Sequence, residues 1–161
     1  MNVYHFLSHS ILHMKQLTML FLALCCATLS QAQDLAARNK TTVQTTYGYF
    51  GKGDIPSLLA NCTDDVVFEI QDRVFDTQPR FFRGKAEVAN FFQELGSKFQ
   101  YTKFQPVRFA ADGDDVFILV EAEYNHLASG KTYTSLYTHH FTVVNGKITY
   151  FRGLDDFQQS R

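Results

Sequence analysis

The sequence predicts a single α+β domain in which a curved antiparallel sheet wraps around a long N-terminal helix. Three observations carry this. Helical patterns are grouped ahead of four long strand patterns, the order of an α+β domain rather than of alternating βαβ units. Asn145-Gly146 lies between two runs rich in Thr, Tyr, Val and Phe, and this pair accepts the positive φ angles of a type I′ hairpin turn. The run Val116 to Tyr124 alternates: Val116, Ile118, Val120, Ala122 and Tyr124 share one face, while the other ends in Glu121, Glu123 and Asn125. Such a strand has one inward and one outward side. Strands of this length curl around the first helix and leave a hollow between helix and sheet.

The elements follow in order. Asp34 to Phe50 reads as a helix, with Val43, Tyr47 and Phe50 at helical spacing and Gly51-Lys52-Gly53 as its stop. Asp54 caps a short helix from Ile55 to Asn61, with Pro56 tolerated in the first turn. Val66 to Ile70 is a strand whose inward face is Val66, Phe68 and Ile70. Asp72 to Pro79 is loop, and Phe81-Phe82-Arg83 is extended. Gly84 opens a third helix with an apolar stripe of Val88, Phe91 or Phe92, Leu95 and Phe99; Gly96 weakens its last turn, so the helix is expected to end near there. Tyr101 to Ala110 is a strand whose Pro106 calls for an edge position or a bulge. Asp112-Gly113-Asp114 and Ser129-Gly130 are turns. On Lys131 to Val144 the odd positions are the more aromatic and are expected to face inward.

Composition is that of an ordinary globular domain: 161 residues, 45% hydrophobic, with 16 Phe and no Trp. The formal charge of −1 and the absence of a Lys/Arg run exclude a nucleic-acid or anionic-membrane surface. Lys15 precedes an apolar run from Leu17 to Leu29, then Ser30-Gln31-Ala32. A short positive region, an apolar core too short to span a bilayer and small residues two apart make a signal peptide. Residues 1–32 are therefore expected to be upstream sequence plus a removed signal, with Met14 an alternative start. Residues 33–161 are the domain, secreted or periplasmic and not held in a membrane. Leu24 is too large for the position before Cys25 in a lipoprotein box. Cys25 and Cys26 leave with the signal, so Cys62 stands alone, a buried small hydrophobe rather than a disulfide partner. Asn39-Lys40-Thr41 and Asn61-Cys62-Thr63 match the glycosylation sequon, which matters only in a eukaryotic secretory pathway.

Five segments resemble the SnoaL-like group of the nuclear transport factor 2-like superfamily, the cystatin-like α+β cones that include polyketide cyclases and ketosteroid isomerases. They are Tyr47 to Asp54, an aromatic helix running into Gly-Asp; Asp64 to Glu69, a first strand; Phe82 to Phe92, the start of a third helix; Asn145 to Ile148, a final hairpin; and Asp155, a closing acid. Their order and spacing support the fold. They do not select a function, because this fold carries isomerases, cyclases, dehydratases, ligand binders and assembly domains. The ketosteroid isomerases need a Tyr on helix one, a general-base Asp after the first strand and a protonated acid on a late strand. The resemblance puts those positions near Thr46, with Tyr47 one residue away, at or near Ile70, and near His139. The set is incomplete.

The residues themselves point to a pocket. Tyr47, Phe50, Phe68, Phe92, Tyr124, Tyr137 and His139 are its expected lining. Phe50, Phe68, Phe91 and Phe92 also serve as core, and their abundance suits an apolar or aromatic small molecule. His139 beside Tyr137 is the candidate catalytic residue, a general base with Tyr hydroxyls donating to a developing oxyanion. The competing reading is a buried, hydrogen-bonded imidazole that only lines the pocket. His139 and His140 face opposite ways on one strand, and His126 has no carboxylate at ligand spacing, so no metal is expected; neither is a cofactor. Glu121 and Glu123 fall on the outer face, where ion pairs are their ordinary use. Three functions stay open: a secreted binding module, for which the resemblance implies a homodimer formed through the sheet's outer surface, with the Thr-rich even face of Lys131 to Val144 as the candidate contact; a cofactor-independent lyase, isomerase or cyclase; and an assembly domain without ligand.

Overall fold

The computed structural model describes residue 19, residues 31–71 and residues 78–160, with the side chains of 156–160 excepted. The signal-like stretch, apart from Met19 and residues 31–32, and most of the predicted 72–79 loop lie outside the described residues.

Helix α1 covers residues 31–51. Its buried positions are Asn39, Val43 and Thr46, the i, i+4, i+7 spacing of one helical face. It stops where Gly53 takes a φ of +69°, which lets the Asp54 amide return to the Tyr49 carbonyl at 3.0 Å. Asp54 Oδ1 then accepts from the Ser57 amide at 3.1 Å and caps α2, Ile55–Ala60.

Strand β1, Cys62–Gln71, pairs antiparallel with β2, Arg80–Arg83, with Phe68 opposite Phe82. Helix α3, Gly84–Lys98, begins at a glycine for a steric reason: φ is +75°, and a Cβ there would lie 3.2 Å from the Asp64 carbonyl oxygen. The helix ends two residues past Gly96, near the position expected. Glu94 holds its last turn, taking a fork from Arg80 at 2.9 and 2.6 Å and Lys98 Nζ at 2.6 Å. An i,i+4 pair plus a bidentate guanidinium offsets the roughly 1 kcal/mol that a helical glycine costs.

The rest of the chain is a meander of long strands, β3 (Phe99–Asp112), β4 (Asp115–His126), β5 (Lys131–Val144) and β6 (Lys147–Ser160). The sheet order is β2-β1-β6-β5-β4-β3. Its pairs are antiparallel except β1 with β6, which run parallel with Phe68 opposite Phe151. Pro106 meets both conditions set for it: β3 is an edge strand, and the register shifts between Pro106 and Arg108. Shifts on β3, β5/β6 and β1/β6 coil the sheet, so that Phe109 of β3 and Phe68 of β1 reach one core with Val43 of α1. Asn145 and Gly146 have φ of 53° and 75°, a type I′ hairpin.

Burial follows the predicted faces. Val116, Ile118, Val120, Ala122 and Tyr124 of β4 are buried, as are Ser135, His139, Phe141 and Val143 of β5. Each core valine contributes on the order of 1.5–3 kcal/mol of transfer free energy. The outer face carries Glu121, paired with Lys103 at 2.6 Å, and Glu123, which accepts from Thr102 at 3.2 Å. Cys62 is buried and free of disulfide. Of the two sequon residues, Asn39 is buried at 2% exposure, its amide donating to the carbonyls of Gly113 at 3.0 Å and Val143 at 3.2 Å. A glycan on that nitrogen is incompatible with this packing.

Candidate functional site

Between α1, α3 and the concave face of the sheet lies a cavity of about 120 Å³. Six of the seven expected lining residues meet there: Tyr47, Phe50, Phe68, Phe92, Tyr137 and His139. Tyr124 does not reach the wall. It is buried beside Tyr101 and Phe99, ring centroids 5.3 Å apart in each case, because the β3 rings cover the inward face of β4 at that level.

The centre of the site is a contact between a helix and a strand. Tyr47 Oη and His139 Nδ1 are 2.6 Å apart. Around the imidazole stand Phe151 at 5.0 Å, edge-on, and Tyr137 at 5.6 Å. Burial in this apolar shell pushes the imidazole down to about 3 and pushes the Tyr47 phenol well above its ordinary value. Both groups are therefore neutral near pH 7. Tyr137 is raised too, first by burial and then by its ionisable neighbours, Tyr101, Tyr124 and Asp155.

A second polar group sits on β6. Phe151, Gly153 and Asp155 alternate onto the concave face and line the cavity. Asp155 is buried, and accepts from Ser135 Oγ at 3.2 Å; that oxygen is 3.4 Å from Tyr124 Oη. Asp155 is the one acidic side chain among the described lining residues. The three positions at which isomerase chemistry was sought, Thr46, Ile70 and His139, also line the wall. The first two carry neither the phenol nor the carboxylate that this chemistry requires.

Other lining residues escaped the sequence reading. Tyr101 and Phe104 of β3 both face inward, three residues apart, because the register slips between Tyr101 and Lys103. Strict alternation would put them on opposite sides. Leu95 of α3 was read only as core.

His140 lies on the convex face, its ring stacked on Phe117 at 4.6 Å and its Nε2 2.7 Å from Asp115 Oδ1. His126 lies 2.8 Å from Ser129 Oγ. Among the described residues, no three His, Cys, Asp or Glu side chains gather as metal ligands would.

Comparison with known proteins agrees with this architecture. No curated protein matches the sequence significantly. An NTF2-like protein from Burkholderia xenovorans superimposes with a TM-score of 0.67 at 23% identity, over 75% of this chain and 91% of that one. TerC, co-crystallised with polyporic acid, gives 0.64 at 22% identity, over 74% and 92%. An epoxide hydrolase from M. tuberculosis, described as LEH-like, gives 0.59 at 18% identity, over 75% and 84%. These likenesses establish the fold. The model of the SnoaL-like domain matches residues 43–151, well over half of the sequence and from the core valine of α1 to the pocket phenylalanine of β6; the chain belongs to that family.

Proposed function

We propose that this protein is a binding module that holds a small apolar or aromatic molecule in the cavity between α1, α3 and the sheet. The observation that carries this is the wall itself: an aromatic shell whose central polar pair, Tyr47 and His139, is neutral. Predominantly apolar hollows of this kind take apolar ligands, and a few placed polar groups orient them. The same burial argues against proton abstraction by His139. A base held near 3 has little driving force at neutral pH, so binding is favoured over cofactor-independent acid–base turnover. TerC, with which polyporic acid was co-crystallised, shares the fold.

Two further parts of the proposal rest on other features. The N-terminal apolar run would direct export. The convex face of β4 and β5 exposes Phe117, Leu136 and Val144, apolar area suited to pairing two copies.

Native mass spectrometry of protein purified from its own producing cells tests the proposal. The expected result is a mature mass, a dimer and a retained small molecule. Leu95→Trp, which pushes an indole into the cavity from α3, should lose that molecule while the protein remains folded. A wild-type protein that carries nothing and gains no thermal stability from a library of aromatic fragments would overturn the binding reading.

A further inference from the structure

We propose that the pocket selects a ligand presenting a neutral hydrogen-bond acceptor, such as a carbonyl oxygen, to Nε2–H of His139, and discriminates against carboxylates. This rests on the binding reading above and specifies the ligand class.

The argument starts from proton counting. Tyr47 and His139 share one hydrogen bond, Oη to Nδ1. Among the described residues neither side chain has another hydrogen-bond partner. Two tautomers are open to a neutral imidazole. If Nδ1 carried the proton, the Tyr47 hydroxyl hydrogen would be buried without an acceptor, at a cost of about 1–3 kcal/mol. If Tyr47 donates to Nδ1, both atoms are satisfied and the ring proton resides on Nε2. The helix thereby sets the tautomer of a residue on β5.

His139 lines the cavity, and with Nδ1 bonded to Tyr47 the nitrogen left for a ligand is Nε2. Opposite His139 on β6 stands Gly153. A Cβ there would come 3.7 Å from His139 Cδ2, the atom next to Nε2, and 3.3 Å from the Phe151 ring. The missing side chain leaves that edge uncovered. His139 is itself only 8% exposed, so a ligand acceptor is the partner its donor lacks.

Charge sets the discrimination. No Lys or Arg is among the described lining residues, and the one acidic side chain there is Asp155. A bound anion would be desolvated with no cation to meet it. A carbonyl oxygen faces no such penalty.

The test uses three probes of nearly one shape: acetophenone, α-methylstyrene and benzoate, titrated into the full chain by NMR. Acetophenone should bind roughly tenfold tighter than either of the others, the ratio expected for one buried hydrogen bond. His139→Phe should equalise acetophenone and α-methylstyrene. Independently of any ligand, the long-range 15N spectrum of wild-type His139 should show the Nε2–H tautomer, and Tyr47→Phe should shift it. An Nδ1–H imidazole in the wild type overturns the inference. Equal binding of all three probes overturns it while leaving the pocket reading intact, and tighter binding of benzoate does the same. If none of the three binds, the pocket reading falls and this inference with it.

Discussion

Tyr47 of α1 and His139 of β5 are 92 residues apart in sequence and 2.6 Å apart in space. The contact joins the central helix to the middle of the sheet. The Tyr47 ring also packs edge-on against Phe109 at 6.0 Å and Phe141 at 5.8 Å, so its phenyl body is core whatever its hydroxyl does. Tyr47→Phe removes the hydrogen bond and keeps that packing. The expected loss is about 1–3 kcal/mol, because Nδ1 is left buried without a donor. Urea titration at pH 7 measures it, with an unchanged m-value as the sign that the fold is kept. No change in midpoint would mean that the hydroxyl contributes nothing.

The same imidazole makes stability depend on pH. Its ordinary value of 6.5 falls to about 3 in the folded protein through burial. Between those values the unfolded chain binds more protons than the folded one, so stability rises with pH across that window. It is full above pH 6.5 and falls on acidification, by on the order of 5 kcal/mol once pH 3 is reached. Glu94 adds a loss in the lower part, since Arg80 and Lys98 hold it near 2 instead of 4.5. Between pH 4.5 and 6.5 the His139 contribution is the larger of the two. His139→Leu should therefore flatten the urea midpoint between pH 5 and pH 7, whereas the wild type should lose midpoint as the pH falls below 6.5. Parallel curves would refute the assignment.

What could be read from the sequence was local and periodic. The inward face of β4, the odd face of β5 and the Asn145-Gly146 turn follow from period two and from φ preference, properties that neighbouring residues carry themselves. Hence the buried position of His139 follows from its strand alone. The misses are long-range. The parallel pairing of β1 with β6 joins Phe68 to Phe151, a contact that no local pattern encodes. Tyr101 and Phe104 share the pocket only because β3 slips register against β4. Tyr124, on the correct face, is walled off by rings from that same strand.

Asn39 is the polar counterpart of Val43 on α1. Its amide donates to the Gly113 carbonyl in the β3–β4 turn and to the Val143 carbonyl at the end of β5. Asn39→Ala deprives buried carbonyls of their donor and should cost about 1–3 kcal/mol. Asn39→Asp should cost more, since a carboxylate would face two carbonyl oxygens and the Asp114 carboxylate, 3.4 Å from the present amide. Thermal melts of the two variants rank them. An Asp variant as stable as the Ala variant would mean that the turn moves away and that the clamp is soft.

Gly146 takes a φ of 75° at the second central position of the hairpin turn, after Asn145 at 53°. A Cβ at Gly146 would meet nothing within 4 Å, so a substitution there reads backbone strain with no packing change. Gly146→Ala should cost roughly 1–2 kcal/mol, the left-handed penalty of an L residue. Asn145→Gly should be close to neutral, because both residues accept that region. Equal midpoints for wild type and Gly146→Ala would show that the turn relaxes to another type, with the β5/β6 register changed near Val144 and Lys147.

Cys62 separates burial from reactivity. Its thiol is 2% exposed, and burial pushes its pKa up to about 11 despite the pull of Lys85 and Lys147. The attacking species is the thiolate, so at pH 8 the native thiol is both hidden and protonated. Iodoacetamide labelling, mapped to the Cys62 peptide by mass, should be negligible in the folded protein and rapid in urea. Its residual rate should rise in Asn39→Ala, since labelling then proceeds through opening and tracks stability. Fast labelling of native protein, unaffected by that variant, would place the thiol on an accessible path and contradict its burial between α2 and β1.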